Sequence, residues 1–207
     1  PLANIISSLD ILDTLLPKNS SITPVFQIAV RSTDRMQRLI NSLLDIKRLE
    51  AGQPITNPKF VNMNVLLLES VEALEPTISS KRQKITLDID PNLPQQYADE
   101  GMLKRVFINL LENAIKFSPL DGNIHLSAKT KSDQLFISIK DSGPGIPDEI
   151  RDRIFEPFVT TKSQGTGLGL AITKRIVTAH HGSISVNSFP GGTVFHVVLF
   201  AYQGDSE

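Results

Sequence analysis

The chain has 207 residues, 40% apolar and 21% charged, values ordinary for a globular protein, and this length fits one domain or two small ones. Lys and Arg number 21 against 22 Asp and Glu, a balance that argues against a nucleic-acid binder or an anionic-membrane binder, since both carry a basic excess. There is no cysteine, which excludes disulfides, thiolate metal sites and cysteine nucleophiles, and no apolar run reaches the length of a membrane span.

The chain opens at Pro1-Leu2 inside a helical pattern and without Met, which reads as an excised fragment. Leu2, Ile5, Ile6, Leu9, Leu12 and Leu16 form one stripe with helical period, and Met36, Leu39, Ile40, Leu43, Leu44, Ile46 and Leu49 form another. Between them, residues 17–24 are rich in turn formers, so residues 1–51 read as an αα-hairpin. Such a hairpin cannot bury its own stripe. It either pairs with a second chain in a four-helix bundle or packs on the rest of its own chain. The second helix stops where Lys47 and Arg48 suit its dipole, Gly52 suits a left-handed cap and Pro54 blocks continuation. Residues 52–58 are the candidate linker.

Beyond it the pattern becomes mixed. Helices are expected near 64–79, 100–117, 147–153 and 168–180. Strands are expected near 84–90, 123–131, 134–140, 183–189 and 192–200. Gln134 to Lys140 alternates with period two, and Pro190-Gly191-Gly192 signals a hairpin. Strands with helices on one face predict an α/β sandwich, for an α+β chain overall. The polar residues 203–207 read as a frayed tail.

Three segments carry candidate chemistry. In Asn109-Leu-Leu-Glu-Asn113-Ala-Ile-Lys116 the two Asn and the Lys share one helix face. An amide oxygen suits Mg²⁺ and a Lys suits phosphate, although a solvated polar face looks the same. In Asp141-Ser-Gly143-Pro-Gly145-Ile146, two glycines permit close backbone approach and the Asp can accept from an amino group. A tight surface turn has the same composition. Gly165-Thr166-Gly167-Leu168-Gly169-Leu170 runs into a helix and exposes amides to an anion. A dinucleotide-binding reading fails here because no strand immediately precedes these glycines. Phe155 to Lys162, just upstream, reads as a mobile flap whose two Phe either anchor it or belong to the core.

In order and spacing, these segments resemble the N, G1, F and G2 boxes of sensor histidine kinases. His181-Gly182 and Gly191-Gly192-Thr193 sit where that family has its closing strands. The helical hairpin resembles the family's dimerisation and histidine-phosphotransfer domain. The resemblance implies a hairpin domain at 1–51 and a Bergerat-type ATP-binding domain at 59–207. It also implies a cytoplasmic location, a homodimer through residues 1–51 and a response-regulator receiver domain as partner. Carried onto this chain, Asn113 would hold Mg²⁺, while Asn109 and Lys116 would contact phosphates. Asp141 would read the adenine amino group, in a pocket shaped by Gly143 and Gly145. Gly165, Gly167 and Gly169 would cradle the phosphates and Lys162 would reach the terminal one. Ile146, Phe158, Thr161, Thr166, Leu168 and Thr193 would complete the ATP site.

One departure is large. The family carries its phosphoacceptor His shortly before a Pro-Leu pair, and this chain begins at that pair. His125, His180, His181 and His196 all fall in the second domain. The chain is therefore expected to bind nucleotide and not to autophosphorylate. Related ATPases place a Glu one turn before the Mg²⁺-binding Asn to activate water. Asn109 stands there instead and cannot act as a general base, which favours phosphoryl transfer over hydrolysis. A nucleotide-binding scaffold without catalysis is the other alternative.

Overall fold

The structure is a computed structural model that describes residues 2–15, 22–50, 57–160 and 166–200. The chain divides into two compact units, residues 1–48 and 49–207. The first holds α1 (Leu2–Leu15) and most of α2 (Thr23–Glu50). Pro24 lies within the first turn of α2 rather than in the turn before it. It is tolerated there because first-turn amides have no intrahelical partner. Phe26 is buried, whereas Ile5, Ile11 and Leu15 of α1 and Val25, Ile28 and Met36 of α2 are exposed. The expected turn at 17–21, most of the linker (52–56) and the tail at 203–207 lie outside the described residues.

In the second unit the helix expected over 64–79 is two helices, α3 (Met63–Glu72) and α4 (Glu75–Ser80). Pro76 is the cause. It offers no N–H to residue 72, and its ring would clash with that carbonyl in a continuous helix. Two three-residue strands, β1 (Lys59–Val61) and β3 (Gln96–Ala98), were not expected; they pair antiparallel with Phe60 opposite Tyr97. Runs this short show no period.

The main sheet contains β2 (Lys84–Ile89), β4 (Asn123–Lys131), β5 (Gln134–Asp141), β6 (Ser183–Phe189) and β7 (Gly192–Phe200). Their order is β2-β4-β5-β7-β6; only β2 and β4 run parallel. Alternation along the strands assigns the faces. Ile124, Leu126, Ala128, Leu135, Ile137, Ile139, Val197 and Leu199 are at most 2% exposed. They meet α5 (Glu100–Phe117) and α7 (Gly169–Ala179), while α3 packs on α5; between α5 and α7 in the chain, the helix expected over 147–153 is the single turn α6 (Asp148–Arg151). One face of the sheet is thus covered by helices, giving the expected α/β sandwich. The outward residues, such as Ser127, Ser138 and His196, are half-buried.

α5 starts where Asp99 accepts the Met102 amide at 3.0 Å, a side-chain cap. Its far end is closed by the turn before β2. The buried Gln83 Nε2 donates to the carbonyls of Ile115, Ser118 and Pro119 at 2.9–3.0 Å, and Lys81 Nζ to Ile115 at 2.7 Å. These bonds satisfy carbonyls that a helix end leaves orphaned.

Candidate functional site

The expected motifs lie at one end of α5 and α7 and at the ends of β5 and β7. Specific contacts join them in pairs. Asp141 ends β5 and is 4% exposed. Its Oδ1 accepts from the Gly143 amide at 2.8 Å and from the Thr193 amide at 3.2 Å. Burial raises the carboxyl above its usual range, and the bonds from Gly143 and Thr193 oppose that shift.

The loop after Asp141 is held on two sides. Ser142 donates its amide to Ser118 Oγ at 3.3 Å, just past the end of α5. A Cβ on Gly143 would come within 3.0 Å of the Phe117 carbonyl. On the other side, the Ile146 amide donates to Ser188 Oγ at 2.6 Å, and Gly145 sits against the Phe189 carbonyl. The loop is thereby fixed between the C-terminus of α5 and the β6–β7 hairpin.

The polar face of α5 divides on closer view. Asn109 is half-buried, and its Nδ2 donates to Thr173 Oγ1 of α7 at 2.7 Å. Asn113 is half-buried one turn later, and its amide makes no hydrogen bond among the described residues. Lys116 is exposed, with Nζ 5.9 Å from the Phe117 ring centre. Glu112, beside Asn113, is exposed.

α7 begins at Gly169 with no side-chain cap, so its first amides are open to an anion. The Phe158 amide donates to the Gly167 carbonyl at 2.9 Å, joining the flap to the glycine-rich segment. Gly167 is at φ +67°, and a Cβ there would fall 2.4 Å from the Phe158 carbonyl carbon. Only glycine fits such a position. Phe158 itself is at φ +68° and 64% exposed, a conformation costing about 1–2 kcal/mol for a side-chain-bearing residue. Phe155, by contrast, is half-buried and packs edge-on against Phe195 at 6.4 Å. The two Phe of the flap therefore differ: one side chain is packed and the other is exposed.

Thr166 Oγ1 accepts from the Leu168 amide at 3.4 Å. Leu168 is 1% exposed, so its side chain serves the core and only its backbone can face a ligand. Ile146 is half-buried and Thr193 buried. Thr161, Lys162 and Gly165 lie outside the described residues. The structure also brings in residues that the motifs did not reveal: Thr173, Ser188, Gln83 and Lys81. Each acts through a hydrogen bond to a distant segment, and no local pattern signals that.

Among the described residues, no group of three or more His, Cys, Asp or Glu could hold a metal ion. An amide, waters and ligand phosphates are the set Mg²⁺ commonly uses, and Asn113 fits that mode. A depression of about 140 Å³ lined by Ser127, Lys129, Phe136, Ser138 and His196 opens on the other face of the sheet.

Residues 98–203 match the family described as histidine kinase-, DNA gyrase B- and HSP90-like ATPase, and residues 1–52 match the His Kinase A (phospho-acceptor) domain. The chain belongs to the sensor histidine kinases. The kinase core is 37% identical over 174 residues to the adaptive-response sensory kinase SasA of Microcystis aeruginosa, covering 81% of this chain and 45% of that protein. It is 35% identical over 186 residues to the alginate biosynthesis sensor protein KinB of Pseudomonas aeruginosa, covering 88% of this chain and 31% of that one. The chain thus spans less than half the length of these two relatives. Full-length ShkA, solved in complex with AMPPNP, superposes with a TM-score of 0.83 at 30% identity, covering 97% of this chain and 43% of that one. The catalytic domain of histidine kinase ThkA gives 0.66 at 33% identity, covering 70% of this chain and 97% of that one. Among the described residues, no helix of the kinase core is long and apolar enough to cross a membrane.

Proposed function

We propose that residues 59–207 bind Mg-ATP and that the parent kinase transfers its γ-phosphate to a His of its phosphoacceptor helix that is not among residues 1–51, and then to an Asp of a response regulator. The observation that carries the nucleotide reading is Asp141. It is a nearly buried carboxylate, ionised at neutral pH only at a cost, with no cation paired to it among the described residues. A carboxylate so placed is suited to accept from a ligand's amino group, here adenine's.

Each other residue has a limited task. Asn113 would supply an amide oxygen to Mg²⁺, and Lys116 would swing from Phe117 to the phosphates. The open amides at the start of α7 and the Gly165–Gly169 backbone would cradle the phosphates, Lys162 would reach the terminal one and Thr161 would complete the site. Thr193, Gly143, Gly145 and Ile146 would line the base. Phe158, already exposed, would cover the nucleotide as the flap closes. Bound Mg²⁺ would neutralise phosphate charge. Phosphoryl transfer needs mainly such positioning and charge neutralisation.

Residues 1–51 would form a homodimer in the cytoplasm. The exposed apolar residues of α1 and α2 support this, since a self-complementary bundle would bury them. Residues 1–51 contain no His, so this polypeptide alone would bind nucleotide without autophosphorylating. A phosphohistidine detected on it after incubation with Mg-ATP would contradict that.

Calorimetric titration with Mg-ATP tests the proposal. Wild type should bind, and Asp141→Asn should bind about 10–150-fold more weakly, the equivalent of one charge-assisted hydrogen bond. Equal affinity in the two proteins would refute the role of Asp141.

A further inference from the structure

α5 and α7 run antiparallel and are bolted at two points. At one end the Asp99 amide donates to His180 Nε2 at 3.1 Å. At the other, Asn109 Nδ2 donates to Thr173 Oγ1 at 2.7 Å. The second bolt lies at the candidate phosphate site. Asn109 Oδ1 rests so close to Gly169 that a Cβ there would come within 2.3 Å of it. Both polar atoms of the Asn109 side chain therefore meet the first two turns of α7. Thr173 is 1% exposed, and valine has nearly the same shape without the hydroxyl. A hydroxyl at such depth needs a partner, and Asn109 provides it.

We infer that Thr173 is a positioning residue for the terminal phosphates of a nucleoside triphosphate. Its hydroxyl fixes the Asn109 amide, and Asn109 in turn fixes where the first turn of α7 presents the amides of Gly169, Leu170 and Ala171. Asn109 thus acts on the phosphates through α7. This rests on the Mg-ATP reading above. It adds a residue that takes no part in any glycine motif and is not among the residues placed at the base above.

The test uses the 207-residue chain, with Mg-ATP followed by calorimetry and adenosine by ligand-observed NMR. Thr173→Val removes the hydroxyl in a nearly isosteric side chain, and Thr173→Ser retains it. Thr173→Val should weaken Mg-ATP binding about tenfold while adenosine binding stays within about twofold of wild type, and Thr173→Ser should recover most of the Mg-ATP affinity. The inference is overturned if Thr173→Val binds Mg-ATP as wild type does, if it loses adenosine in the same proportion, or if Ser fails to rescue. A wild-type chain that binds neither ligand would overturn the nucleotide reading itself, and the inference with it.

Discussion

Gly192→Ala gives a sharp test of how the sheet holds the site. Gly192 is buried at the start of β7, next to Thr193, whose register partner is Asp141. A Cβ at 192 would fall 2.6 Å from the Asp141 carbonyl oxygen, with Phe189 ring atoms at 3.0 and 3.1 Å. An ordinary C···O contact is about 3.3 Å or longer, so β5 and β7 must separate by roughly 0.7 Å. Neither neighbour is the loose end of a flexible chain. Overpacking of this kind costs about 1–3 kcal/mol. The Thr193–Asp141 bond, already 3.2 Å long, would be lost for about 0.5–1.5 kcal/mol more. Restricting the unfolded chain returns about 0.4–1 kcal/mol. The net loss is near 2 kcal/mol, and thermal unfolding followed by circular dichroism should show a Tm lowered by about 4–8 °C. Gly101→Ala is the control. Its Cβ would meet nothing closer than 3.4 Å, and helix propensity predicts a small gain, up to about 1 kcal/mol. A Gly192→Ala protein as stable as wild type would refute the packing argument.

Two pH predictions follow from buried groups. Burial raises the Asp141 carboxyl above 3.8, so the folded protein keeps a proton that the unfolded chain has released. Stability from this group falls as pH rises from 3.8 through the folded pKa, and the deficit persists at pH 7. Asp141→Asn should therefore melt higher than wild type at pH 7, with the difference shrinking toward pH 4; a lower Tm at pH 7 would contradict this. Burial lowers His180 below 6.5, with the Asp99 carboxylate opposing the shift and His181 adding to it. Its stabilisation is complete above the unfolded value and is lost as pH falls from 6.5 through the folded pKa. Wild type should lose more Tm than His180→Asn between pH 7.5 and pH 5, and equal losses would remove His180 from the account.

Much of this was legible in the chain because period and punctuation are local. The alternation of Gln134 to Lys140 marked β5, and Pro190-Gly191 marked the β6–β7 turn, where Gly191 takes φ +93°. What was not legible is of two kinds. Pro76 split one expected helix, a local signal outweighed by the apolar period on both sides. The bolts Asn109–Thr173, Ile146–Ser188 and Gln83 on the end of α5 join residues 64, 42 and 32–36 positions apart. No spacing rule reaches that far. Nor does the motif at Asn109, Asn113 and Lys116 say that the first is engaged by α7 while the second stays open.

The most direct measurement is amide mapping by NMR of the isotope-labelled chain titrated with Mg-AMPPNP. The account predicts shifts at Gly143, Thr193 and the amides of Gly167 to Ala171, and in the Asn113 side chain. It predicts none at Ser127, Ser138 and His196 on the opposite face of the sheet. Shifts confined to that opposite face, or no shifts at a saturating concentration, would contradict it.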